Sequence, residues 1–113
     1  MKKVFLFCLV SLAAICLGAD IVSTDGGGSW TNPGSWIGGV VPGSNDNVVI
    51  NSTIYVNADA YCQNLTITAS GSLQNQVYEV HSIWIIGNLS NAGSIVNHGY
   101  GGLLYCHFGG NIN

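Results

Sequence analysis

The side chains that could do chemistry are few. They are the acids Asp20, Asp25, Asp46, Asp59 and Glu79, the imidazoles of His81, His98 and His107, and the thiols of Cys62 and Cys106. Hydrolysis by general acid and base needs two carboxylates about 5–10 Å apart. Asp46 and Asp59 fall in different turn-rich stretches and Glu79 stands near a corner, so no two acids share a short motif. Glu79 and His81 are two residues apart and share one face of a strand. With His98 or His107 they would make a carboxylate–imidazole set of the kind zinc takes. The same spacing describes polar residues on an exposed face equally well. Asp25 and Asp46 offer oxygen to calcium, but no stretch matches a ligand loop. The sequence therefore predicts no catalytic residue, no metal and no cofactor.

The elements that must position these residues begin after a distinct leader. Met1–Asp20 carries Lys2 and Lys3, an apolar run from Val4 to Leu17, then Gly18 and Ala19. This is the three-part pattern of a secretory signal peptide, and the run is shorter than the ~20 residues of a membrane-spanning helix. Residues 1–19 are read as that signal, expected to be helical and then cleaved. Ile15 before Cys16 speaks against lipidation. Beyond residue 19 the chain has no Lys or Arg and all five of its acids. A surface without a fixed cation cannot bind phosphates by counterion release, which excludes nucleic acid and, after signal cleavage, an anionic membrane. The expected location is secreted or cell-surface.

The rest divides by texture. A segment at 20–47 is rich in Gly, Ser and Trp and ends in the turn-rich VVPGSNDN. From Val48 the pattern becomes short alternations: Val48-x-Ile50, Ile54-x-Val56, Leu65-x-Ile67, Ile83-x-Ile85 and Leu104-x-Cys106. Period two marks strands, and the predicted fold class is all-β. A unit of Gly, any residue, Leu or Ile recurs at Gly71–Leu73, Gly87–Leu89, Gly93–Ile95 and Gly110–Ile112, with Asn at Asn75, Asn91 and Asn97. Ile83 to Leu104 is 21 residues and Gly87 to Gly110 is 23. Periods of that size indicate a solenoid. Three short strands per coil make a right-handed parallel β-helix over 48–113. Its corners would be Gly71, Asn75, Gly87, Asn91, Gly93, Asn97 and Gly110, chosen for the backbone angles Gly and Asn tolerate. Its inward ladder would be Leu65, Ile67, Leu73, Ile83, Ile85, Leu89, Ile95, Leu104, Cys106 and Ile112. Cys62 then lies two coils from Cys106. At ~4.8 Å per coil the α-carbons are roughly 10 Å apart, beyond the ~7 Å limit for a disulfide, so two free thiols are expected. The copy at Gly110 stops short, with no polar cover after it, which predicts a fragment of a longer solenoid.

GSWTNPGSWIGGVVPGSNDNVVI, residues 28–50, resembles the opening of secreted bacterial cell-surface β-helix proteins, the pectin-lyase-like solenoids of autotransporter-like and type IX-secreted proteins. The shared residues are Trp30, Asn32-Pro33, Trp36, Gly38-Gly39, Pro42, Asp46 and Val48-x-Ile50. The resemblance implies an N-terminal cap in which Trp30, Trp36 and Pro42 cover the first coil and Asp46 caps a turn before the first strand. β-Helices of this kind include polysaccharide lyases, whose Arg or Lys base is missing here. The expectation is a non-catalytic structural part of a surface protein, serving adhesion or as a scaffold. Its partners would be downstream coils of the same chain, and a glycan or another surface protein. Two rivals are kept. One is the start of a carbohydrate-active enzyme whose catalytic residues lie beyond residue 113. The other is a glycan-binding module using Trp30, Trp36, Tyr55 or Trp84.

Overall fold

A computed structural model describes residues 20–97 and 100–113. The expected signal at 1–19, and His98, lie outside them. The strands are β1 (Asp20–Val22), β2 (Gly28–Ser29), β3 (Asn47–Ile50), β4 (Thr53–Val56), β5 (Ala60–Cys62), β6 (Leu65–Ile67), β7 (Ser72–Asn75), β8 (Val80–Ile85), β9 (Leu89–Asn91), β10 (Ser94–Val96) and β11 (Leu103–Phe108). A single 3-10 turn, Pro33–Ser35, is the one helical element among the described residues. The strands stack in three sheets, ordered β1-β3-β6-β9, β2-β4-β7-β10 and β5-β8-β11. Every strand pair is parallel. The chain is a parallel β-solenoid of about four turns, in which each coil passes through the first two sheets and every coil after the first also passes through the third.

Alternation decides which residues face inward. Val48, Leu65 and Leu89 are in register in the first sheet, and Ile54, Leu73 and Ile95 in the second. Ala60, Ile83 and Cys106 are in register in the third, as are Cys62, Ile85 and Phe108. The middle rungs are buried completely, and each Leu or Ile there contributes roughly 1.5–3 kcal/mol. An asparagine ladder runs beside the first sheet. Asn64 Nδ2 donates to Asn47 Oδ1 at 2.8 Å, and Asn64 Oδ1 accepts from Asn88 N at 2.8 Å. Asn88 Oδ1 in turn accepts from Asn111 N at 2.9 Å. Successive rungs of this ladder are 17, 24 and 23 residues apart. These are the true coil lengths, and the loops between strands absorb the difference.

Several expected placements are corrected. Leu65 and Ile83, both in the expected ladder, lie on different sheets, because Leu65 pairs with Val48 and Leu89. Leu104 pairs with His81, so Cys106 rather than Leu104 stacks on Ile83. The glycine units fall on two sheets. Gly71 and Gly93 precede β7 and β10, while Gly87 precedes β9 and Gly110 precedes the isolated bridge between Ile112 and Leu89. None of these four glycines has a positive φ. They are glycine because coils approach closely there: a Cβ on Gly93 would fall on the carbonyl oxygens of Gly71 and Thr68 and 2.9 Å from Ile67 Cγ2. Asn75 is no exposed corner. It is buried at the inward position opposite Val56, and its Nδ2 donates to Gln76 O at 3.3 Å. Asn91 and Asn97 do act at corners, where their Oδ1 atoms accept from Gly93 N at 3.0 Å and Leu104 N at 2.8 Å. Of the expected ladder, Ile95 and Cys106 are partly buried, because they lie on the outermost rungs of their sheets. Ile112 is 59% exposed.

Segment 20–47 already contains solenoid: β1 pairs with β3 and β2 with β4. Asp46 therefore precedes β3 rather than the first strand. There its Oδ2 accepts from Gly43 N at 2.8 Å, closing the turn that Asp46 N and Gly43 O bridge at 3.1 Å. Residues 35–37 fold back along the outer edge of β1. Thr24 N donates to Ser35 O and Ile37 N to Val22 O, around an antiparallel bridge between Ser23 and Trp36. Trp30 and Trp36 are both buried and pack edge to face, 5.1 Å apart, with Trp36 Nε1 donating to Trp30 O. Ser35 Oγ ties the same turn to Ser29 O. The outer edge of β1 is thereby covered, and Pro42 is buried.

Candidate functional site

The third sheet starts one coil later than the other two, and this offset shapes the surface around it. Its terminal strand, β5, has no strand on its outer side. Loop 41–44 stands off from it instead. Between them lies a hollow of about 400 Å³, lined by Trp30, Thr31, Val41, Pro42, Gly43, Ser44, Asp59, Ala60 and Tyr61. This is within the ~300–1,000 Å³ of small-molecule sites.

Above the hollow, parallel register stacks three outward side chains of the third sheet. Tyr61 is opposite Trp84, and Trp84 is opposite His107. The Tyr61 and Trp84 rings are 4.9 Å apart and 9° from parallel; Trp84 and His107 are 4.8 Å apart and 8° from parallel. Both faces of Trp84 are thus covered and only its edge meets solvent. Tyr61, 45% exposed, has one face on Trp84 and turns the other to the hollow.

Beside the stack, His81 sits between two carboxylates. Its Nε2 is 2.8 Å from Glu79 Oε1 and its Nδ1 is 3.8 Å from Asp59 Oδ1. Asp59 Oδ1 also accepts from Ser82 N at 2.9 Å. The structure thus brings Asp59 to the Glu79–His81 pair, a contact that no spacing along the chain announces. Because the two ring nitrogens diverge, the two acids cannot converge with His81 on one ion. The ring also fills the gap in which a scissile bond would have to lie. His107 is not part of this cluster, since it stacks on Trp84. Among the described residues no group of three His, Cys, Asp or Glu side chains is placed to hold a metal.

Cys62 and Cys106 are both free, on rungs two coils apart, with Ile83 and Ile85 on the coil between. Burial pushes the Cys62 thiol up to about 12 and raises that of Cys106 as well. A thiol held in its neutral form is a poor nucleophile, and both act as core residues. Of the aromatic residues expected to meet a glycan, Trp30 and Trp36 are buried, and Trp84 has neither face open. The residue that sequence reasoning missed is Tyr61. It lies in a strand whose flanking Ala60 and Cys62 are small, and the alternation test passed over it.

Comparison of the chain with protein-family models, with curated proteins and with solved structures found no match. The fold defines the class, a parallel β-solenoid, and the hollow at the outer edge of β5 is its candidate site.

Proposed function

We propose that this chain is a non-catalytic structural part of a secreted or cell-surface β-solenoid protein, acting in adhesion or as a surface scaffold. The observation that carries the reading is the outer face of the third sheet. Tyr61, Trp84 and His107 stack there, and Tyr105 of β11 stands exposed on the same face. Such a surface suits contact with another macromolecule, since aromatic rings bring large area with little conformational freedom to lose. The chemistry-bearing residues support the same reading. Glu79, His81 and Asp59 engage one another, and the two cysteines fill the core. Exposed Ile112 and half-buried Ile95 and Cys106 on the edge formed by β9, β10 and β11 suit the stacking of further coils.

Export is the step on which this reading depends. Fused ahead of a phosphatase that is active only outside the cytoplasm, the chain should give extracytoplasmic activity and a new N-terminus near Asp20. A reporter that stays cytoplasmic, with Met1 intact, would contradict the proposal.

A further inference from the structure

The hollow beside β5 is a ready-made ligand site, and we propose that it binds one neutral pyranose unit of a saccharide, seated on the free face of Tyr61. Four observations lead there. First, Tyr61 presents one aromatic face at the edge of a cavity of about 400 Å³, and Trp84 stacked behind it fixes the ring. A flat aromatic face packs against the C–H face of a sugar ring, which is apolar on one side and hydroxylated at its rim. Second, the rim of the hollow is polar where those hydroxyls would point. Thr31 Oγ1 accepts from Asn57 Nδ2 at 2.7 Å and Thr31 N donates to Asn57 Oδ1 at 3.2 Å, so Thr31 is held in place with its hydroxyl proton directed elsewhere. Ser44 adds a second hydroxyl. Third, Asp59 is positioned beforehand: Oδ1 is held by Ser82 N, which leaves Oδ2 for a donor in the hollow. A carboxylate takes two sugar hydroxyls well, because it only accepts hydrogen bonds. Fourth, residues 20–113 contain no Lys or Arg, and the acid among the residues lining the hollow is Asp59. Phosphate, sulfate and uronate groups have no counter-charge there and face repulsion instead.

A peptide strand added to the same edge fits less well. β5 is three residues long, and loop 41–44 stands opposite it, so few ladder hydrogen bonds could form. The saccharide site goes beyond the scaffold reading and does not depend on it, since the hollow is formed within this chain by Trp30, Thr31, loop 41–44 and the residues of β5.

The test uses the full chain, isotopically labelled, titrated with glucose, galactose, mannose, N-acetylglucosamine, their disaccharides and the matching uronic acids. At least one neutral sugar should give saturable amide shifts centred on Thr31, Ser44 and Tyr61. Its affinity should fall roughly tenfold in Tyr61→Ala, change little in Tyr61→Phe, and fall severalfold in Asp59→Asn. The matching uronate should bind more weakly. Amide spectra of each variant without sugar check the fold, and Tyr61→Phe keeps the test decisive if Tyr61→Ala perturbs it. The proposal is overturned if no neutral sugar shifts these amides, if the shifts survive Tyr61→Ala in a folded chain, or if the uronate binds as well as its neutral counterpart.

Discussion

Gly93→Ala should weaken this fold far more than a single methyl group suggests. An added Cβ would meet two carbonyl oxygens of the coil below, from Gly71 and Thr68, and would lie 2.9 Å from Ile67 Cγ2. Ile67 is completely buried. Two of the three obstacles are backbone atoms tied into the ladder, so no rotamer change relieves them, and the coils must part locally. Overpacking of this kind costs about 1–3 kcal/mol. Gly→Ala also restricts the unfolded chain, which stabilises by about 0.4–1 kcal/mol. With two obstacles in the backbone the overpacking cost is at the upper end of its range, so the net expectation is a loss of about 2–2.6 kcal/mol, or a fall in Tm of very roughly 8–20 °C for a domain of this size. Gly26→Ala is the control, because nothing lies within 4 Å of its would-be Cβ and its φ is not positive. Urea unfolding followed by far-ultraviolet circular dichroism measures both variants. If Gly93→Ala matched Gly26→Ala, within about 0.5 kcal/mol of the parent, the close stacking of coils described here would be wrong.

Asn64→Ala removes an inner rung of the asparagine ladder, with one bond to Asn47 and one from Asn88. It should cost about 1–3 kcal/mol in the same urea assay, whereas Asn113→Ala should be near neutral because only its backbone groups take part in the ladder. Cys62 predicts an alkaline limit to stability. Its pKa rises from 9.0 to about 12 on burial, so the folded chain holds the proton longer than the unfolded one. Its contribution is intact below about pH 9 and is lost as pH rises toward 12, by up to about 4 kcal/mol. Cys62→Ala should be somewhat less stable at pH 7 but should show a shallower loss between pH 9 and 11.

The strands were legible because their physics is local. Val48-x-Ile50, Ile54-x-Val56, Leu65-x-Ile67, Ile83-x-Ile85 and Leu104-x-Cys106 all lie within strands. The stacking of those strands was less legible, because Gly marks every corner at which coils approach closely. Gly71 and Gly87 look alike in sequence but open strands of different sheets. The distance from Ile83 to Leu104 therefore gave a false period, while that from Gly87 to Gly110 gave a true one. β1 and β2 were hidden in a stretch whose Trp and Gly residues suggested a cap alone. β5 was hidden because Ala60 and Cys62 are small. The candidate hollow follows from an offset between sheets, and no residue pattern announces that the third sheet begins one coil late.

Register is the claim on which the candidate site rests, and the Trp84 ring reports it most directly. Nuclear Overhauser contacts of the Trp84 indole should reach the Tyr61 ring on one side and the His107 ring on the other, whose centroids lie 4.9 and 4.8 Å away. Backbone contacts should also link Leu65 to Val48 and Leu89 as neighbouring strands. An indole in contact with neither ring, with Leu65 instead beside Ile83, would contradict the coil alignment and remove the hollow beside Tyr61.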